Sequence, residues 1–209
     1  NKKNVKKNLK YVKKKLLSNK KISLLYQNHS TKLYFIKKIS KRKLIGDALI
    51  TNIKNLPIGI LTADCAPILI LDPKKKIIAA VHAGWRGAYK NIAIKVLRKL
   101  VKLGSNKKDI IVAIGPCINQ KNYEVGKEFK NKFLTKSSKN SIFFKKKKER
   151  IYFDLSKFIY NQLNSFGILK IDVIRTDTFD KKNNFFSARR SLKKNESDYG
   201  RNISVIMLK

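Results

Sequence analysis

Apolar residues fall into short blocks along the chain, separated by lysine-rich or turn-forming segments. Residues 3–18 set Val5, Leu9, Val12 and Leu16 at helical spacing with lysines on the other faces. That pattern predicts a surface helix packed along one stripe; a mitochondrial-type presequence has a similar look but is richer in Arg and Ser. ISLLY (22–26) and KLYFI (32–36) read as strands around the polar segment QNHSTK. DALIT (47–51), IGIL (58–61), PILILD (67–72) and IIAAVH (77–82) are apolar or alternating runs, broken by NLP, ADC and PKKK. Between 88 and 103, Ile92, Val96, Leu97, Leu100 and Val101 recur at helical period until Gly104. IIVAIG (110–115) predicts another buried strand, closed by Gly115-Pro116. Helices are expected at 125–134 and 154–166, the second capped by Asp154. KIDVIR (170–175) and NISVIML (202–208) read as the last strands, and the charge run KKKKER (145–150) as a loop.

Strands interleaved with about four helices predict an α+β fold: one mixed α/β domain of layered sheets covered by helices. No internal repeat or Pro/Gly/Ser-rich linker divides the chain, so residues 1–209 are expected to form a single catalytic domain. No apolar stretch approaches the ~20 residues needed to cross a bilayer, so no membrane partner is expected. NKKNVKKNLK lacks an apolar h-region, which argues against a secretory signal. Two cysteines argue against a disulfide framework and fit a reducing cytoplasm. The sequence opens without methionine, so further residues are expected before Asn1.

Charge changes the picture less than its size invites. A net charge of +37 should attract polyanions. Yet the lysines are spread over nearly every segment and accompany abundant Asn and Ile, all encoded by A/T-rich codons. Base bias acting on tolerant surface positions accounts for that better than a dedicated nucleic-acid site, leaving only weak, salt-sensitive binding to RNA or DNA.

The chain has two histidines and two cysteines, and three of the four sit at element ends: His29 in YQNHS, Cys65 in LTADCAP and His82 in AVHAGWRG. Strand ends that converge on one sheet edge bring distant side chains together. One thiolate and two imidazoles suit zinc, and three protein ligands leave a fourth position open to water or substrate. Taken singly, each residue is equally a hydrogen-bonded histidine or a small apolar cysteine, and the spacing lacks C-x-x-C or H-E-x-x-H, so the residues alone leave both readings open. After His82, the glycines of AGWRG open a helix whose N-terminus, with Arg86, suits an oxyanion; the bland alternative is a tight turn with Trp85 in the core. Asp64, Asp47 and Glu124 are carboxylates available to move a proton or orient an imidazole. Cys117 reads as structural.

ADCAPILI followed by AAVHAGWRG, then AIGPCI and YEVG, then FFSARR and a late GR, closely resembles the laccase-like multicopper polyphenol oxidoreductase family, whose proteins are now associated with purine nucleoside phosphorylase and adenosine deaminase activity. The resemblance runs in order from about Val5 to Lys209. It implies that His29, Cys65 and His82 are the metal ligands and that Cys65, His82, Asp64 and Arg86 are the catalytic set. It also implies that Arg86, Arg189, Arg190 and Glu124 line the substrate site, with Arg201 nearby. Two departures stand out: Ser30 occupies a position that is usually Gly, and the family's N-terminal Thr-Arg-x-Gly-Gly strand has no counterpart before Asn1.

The implied chemistry is transfer and hydrolysis on a small molecule, with a purine nucleoside and phosphate as partners and a monomer or homodimer as the working form. Phosphate would attack C1′ of the ribose, held in line by cations; water activated by the metal would attack C6 of adenosine. Three rivals remain at this level. A copper-linked polyphenol oxidase would carry Cu(2+) instead of Zn(2+), but several coppers need more than two histidines. A basic nucleic-acid binder would interleave aromatics with cations on one strand face. A cysteine hydrolase would use Cys65 as nucleophile and a histidine as base.

Overall fold

The computed structural model describes residues 2–37 and 44–209. In chain order the elements are α1 (Lys2–Lys15), β1 (Leu33–Ile36), β2 (Ala48–Thr51), β3 (Ile58–Thr62), β4 (Ala66–Asp72) and β5 (Ile77–Ala83). Then come α2 (Trp85–Tyr89), α3 (Ile92–Lys102), β6 (Ile111–Ile114), β7 (Glu124–Val125), α4 (Lys127–Lys136), β8 (Phe144–Lys147) and β9 (Arg150–Phe153). The chain ends with α5 (Leu155–Ser165), β10 (Lys170–Val173), α6 (Ala188–Lys193) and β11 (Asn202–Ile206). This is the mixed α/β architecture that the alternation of patterns predicts, with several sheets.

A six-stranded mixed sheet in the order β1-β2-β5-β4-β6-β10 forms the centre. Its strands β2 and β5 are buried on both faces, which is why they read as largely unbroken apolar runs. On one face, Ala48, Ile50, Ile68, Ile70, Ala79 and Val81 pack against Val96, Leu97 and Leu100 of α3 and Ile159 and Leu163 of α5. On the other, Leu49, Ile78 and Ala80 meet Ile58 and Ile60 of the antiparallel β3–β11 ribbon. By strand alternation His82 shares this second face with Ile78 and Ala80.

Register decides where the chemistry lies. β4 and β5 are antiparallel with Pro67 opposite His82, and β2 and β5 are antiparallel with Ala48 opposite Val81. The start of β2, the start of β4 and the end of β5 therefore share one sheet edge. β1 is parallel to β2, so the 27–31 segment that precedes it arrives at the same edge.

The structure corrects four expectations. ISLLY forms no strand; its backbone makes the isolated bridges Ser23–Ile58 and Tyr26–Ile45, while Ile22 and Leu25 are buried. The helix expected from 88 is two helices, divided at Asn91, whose backbone is left-handed (φ 60°). KKKKER is no loop: it contributes to the β8–β9 hairpin, turned at Lys148 (φ 51°), because Phe144 and Phe153 pair across it with ring centroids 5.0 Å apart. In α1 the stripe is shorter than its periodicity promises, since Val5 is 56% exposed while Leu9, Val12 and Leu16 are half-buried. Asp154 caps α5 as expected, accepting from the Lys157 backbone N–H at 2.9 Å.

Candidate metal centre

The donor atoms of His29, Cys65 and His82 lie within 4.8 Å of one another. Cys65 Sγ is 3.7 Å from His29 Nε2, and the two imidazoles meet edge to face with centroids 4.9 Å apart. A tetrahedral ion about 2.0–2.3 Å from nitrogen and sulfur donors would set them about 3.6 Å apart, close to the spacing of Cys65 Sγ and His29 Nε2. Gly84 makes the approach possible: a Cβ there would fall 2.8 Å from Cys65 Sγ and 2.9 Å from His29 Cδ2. His82 is buried, Cys65 half-buried and His29 exposed, so the cluster opens to one side. These three residues can therefore hold a metal ion and leave it accessible.

Asp47, fully buried, organises two of the three donors. One carboxylate oxygen accepts from His82 Nδ1 at 2.8 Å and from the His29 backbone N–H at 3.1 Å. The other accepts from the Ser30 N–H at 2.6 Å and the Ser30 hydroxyl at 2.7 Å. With Nδ1–H directed at Asp47, His82 presents Nε2 to the cluster, the arrangement that orients ligating imidazoles. Ser30, in place of the usual glycine, thus adds a donor to this carboxylate, and His29 itself adopts a left-handed backbone (φ 59°). Gln27 anchors the same segment to β3 through both its amide atoms, donating to the Leu61 carbonyl at 2.7 Å and accepting from the Leu61 N–H at 2.8 Å.

Electrostatics follow from these contacts. Burial raises the Cys65 thiol pKa, but hydrogen bonds and positive charge from His29 and His82 outweigh it and leave the thiol lowered to about 7. Burial disfavours the His82 imidazolium, yet the hydrogen bond to Asp47 and the contact with Cys65 hold its pKa up at about 9. Burial opposes ionisation of Asp47 too, but His82 and Ser30 together keep its carboxyl below its ordinary value.

The remaining predicted residues divide. Asp64 is buried, and both its oxygens are engaged: Oδ1 accepts from Thr178 Oγ1 at 2.7 Å, Oδ2 from Ser187 Oγ at 2.9 Å and from the Arg189 N–H at 2.6 Å. Both oxygens are thus occupied by partners from the 178–189 segment. The Arg190 guanidinium donates to the carbonyls of Thr178, Phe179 and Phe185. Arg189 stays available, with one guanidinium nitrogen on the Glu124 carbonyl at 2.7 Å and its charge 5.4 Å from the Tyr123 ring centroid. Glu124 pairs loosely with Arg150 at 3.4 Å. Arg86 is exposed, 4.9 Å from the Trp85 ring centroid, and makes no ion pair among the described residues. The helix after His82 has only five residues, too short to concentrate much positive potential at its start. Arg201 lies over Tyr199 at 3.9 Å, and Cys117 is buried with its thiol pKa pushed up by that burial. A cavity of about 820 Å³ lies away from the cluster, lined among others by Lys121, Lys157, Tyr160 and Arg175.

Sequence reasoning noted Ser30 only as a departure and missed the bracing roles of Ser30, Thr178 and Ser187, because a hydroxyl that braces a carboxylate from another segment leaves no periodic trace. Gln27 had a signal: it stands two residues before His29.

A Rickettsia conorii protein named purine nucleoside phosphorylase is 35% identical over 167 residues, covering 78% of this chain and 68% of that one. A protein from an unknown prokaryotic organism named adenosine deaminase is 41% identical over 87 residues, 42% of this chain and 33% of that one. The first two phosphorylases matched align over 68% and 61% of their own lengths. Among solved structures, the hypothetical protein YfiH of Bacillus licheniformis superposes with a TM-score of 0.86 at 26% identity, over 97% of this chain and 80% of that chain. Since the family model for multi-copper polyphenol oxidoreductase laccases matches residues 1–209 from end to end, the chain belongs to that family.

Proposed function

We propose that this chain is a zinc-dependent enzyme of purine nucleosides. One reaction would be phosphorolysis of adenosine, inosine or methylthioadenosine to the free base and the sugar 1-phosphate. Deamination of adenosine to inosine would be the second. The observation that carries the reading is the convergence of His29, Cys65 and His82 on one accessible point, in a chain whose relatives are named for these activities.

Zinc held there would supply Lewis acidity and lower the pKa of a bound water toward about 7. The chain's own residues do the rest. Asp47 fixes the face that His82 presents. Arg189, braced by the Glu124 carbonyl, and the exposed Arg86 offer guanidinium donors to phosphate, which suits their planar geometry. Of the three candidate carboxylates, Asp47 and Asp64 have both oxygens engaged, so Glu124 is the one left to carry a proton.

Metal analysis of the purified protein and incubation with adenosine plus phosphate test this directly. One zinc per chain with inosine, adenine or ribose 1-phosphate as products supports the reading; a metal-loaded protein that forms none of them refutes it. The 3.7 Å contact between Cys65 Sγ and His29 Nε2 also favours a second reading, a cysteine nucleophile with an imidazole base. Activity that survives complete chelation would select that alternative. Copper in several centres is the weakest reading, because both histidines of this sequence already belong to the one cluster.

A further inference from the structure

A buried carboxylate ties the segment that carries Cys65 to the segment that carries Arg189. Asp64 immediately precedes the ligand, is 8% exposed, and holds a left-handed backbone at φ 79°. Its own carbonyl accepts from the Ile118 N–H at 3.1 Å, so its main chain is pinned as well as its side chain. Such a backbone persists in a residue other than glycine where the surroundings over-determine it. Here they do so from three directions: Thr178 Oγ1, Ser187 Oγ and the Arg189 N–H all donate to the carboxylate, at 2.7, 2.9 and 2.6 Å. Ser187 in turn caps α6, accepting from the Arg190 N–H at 3.1 Å.

Arg189 is therefore held at both ends, its main chain by Asp64 and its guanidinium by the Glu124 carbonyl. The neighbouring Arg190 uses its guanidinium to tie down the 178–185 segment. One arginine builds the platform and the other stands on it.

We propose that Asp64 is a positioning residue that locks Arg189 to the Cys65 loop, so that ligand and guanidinium meet an anionic co-substrate as one rigid unit. Identifying that anion as phosphate rests on the phosphorolysis reading above. Asp64 does not touch the substrate; it acts through Arg189.

A double-mutant cycle on the metal-loaded full chain tests this. Asp64→Gly removes the carboxylate while keeping the left-handed backbone free of a side-chain penalty, and Arg189→Gln removes the charge. Each single variant should raise the KM for inorganic phosphate about tenfold while zinc per chain and the KM for nucleoside stay near wild type. The double variant should be no worse than the poorer single one, because both changes remove the same interaction. A phosphate KM within twofold of wild type in Asp64→Gly, or a double variant whose effect is the product of the two, overturns the proposal. Should Asp64→Gly fail to fold, Asp64→Asn takes its place in the cycle: it tolerates the same backbone and keeps one acceptor, and the same non-additivity is expected. If the wild type turns over no nucleoside, the phosphorolysis reading fails, and the cycle is then read by calorimetric titration of inorganic phosphate into the metal-loaded proteins. Binding with a non-additive cycle upholds the role of Asp64; no phosphate binding to the wild type overturns it.

Discussion

Asp47 grips two donors of the cluster at once, the His82 ring and the His29 backbone. Its replacement by alanine should weaken metal affinity about 10- to 100-fold without removing a ligand, measured by competition with a chelator of known affinity. The Cys65–His82 pair also sets a proton count. With the thiol lowered to about 7 and the imidazolium raised to about 9, the metal-free pair holds one proton between those values and two below them. Binding requires thiolate and neutral imidazole, so this pair should release about one proton per ion near pH 8 and about two below pH 7. Calorimetry in buffers of different ionisation enthalpy reads that number. Stability of the metal-free protein responds differently. The raised His82 pKa contributes stability that is full below its ordinary 6.5 and is lost as pH rises through about 9. The lowered Cys65 pKa contributes stability that is full above its ordinary 9.0 and is lost as pH falls through about 7. Between 7 and 9 the two slopes oppose and cancel. The three clustered donors were legible in the sequence, since rare residues stood at strand ends inside distinctive motifs. Their bracing was not: Asp47 lies 18 residues from His29 and 35 from His82, and only the strand register brings it to both.

At the scale of elements, the central strands and α3 were legible because burial on both faces, or along one helical stripe, writes itself into hydrophobic spacing. What escaped was structure held by a few local contacts. Asn91 breaks the helix between 85 and 102 by a single left-handed residue, steadied by Gln162 Nε2, which donates to its side chain at 2.6 Å. The β8–β9 hairpin forms from lysines because the aromatics flanking them join a cluster with Phe129, Phe133 and Phe158. Tertiary packing overrides the solvated look of the charge run there. The Asp154 cap was readable, and it gives a clean check. Asp154→Ala should cost about 1 kcal/mol and lower Tm by about 2–4 °C in a protein of this size, followed by thermal unfolding, with bound metal unchanged.

Across the whole molecule, like charges dominate. Fifty Lys and Arg against 13 Asp and Glu give +37, and the described ion pairs are few and mostly at the surface, as with Lys74–Asp109 at 2.9 Å and Arg150–Glu124 at 3.4 Å. Self-repulsion on that scale opposes compactness and is screened by salt. Raising sodium chloride from about 20 mM to about 300 mM should therefore raise Tm, and the same change should strip nonspecific RNA from the protein; a Tm that falls would refute the first expectation. The sheet carries a further consequence. Its donors all arrive at one rim, whereas the β4–β5 turn lies at the opposite one and the main apolar core is built without them. An ion seated there would act as a rivet through three separate strips of chain, and pulling it out should fray one end of the sheet and leave the other shut. Amide exchange after chelation would then quicken around residues 27–31, 63–65 and 82–86, while Leu97, Leu100 and Ile159 keep their protection.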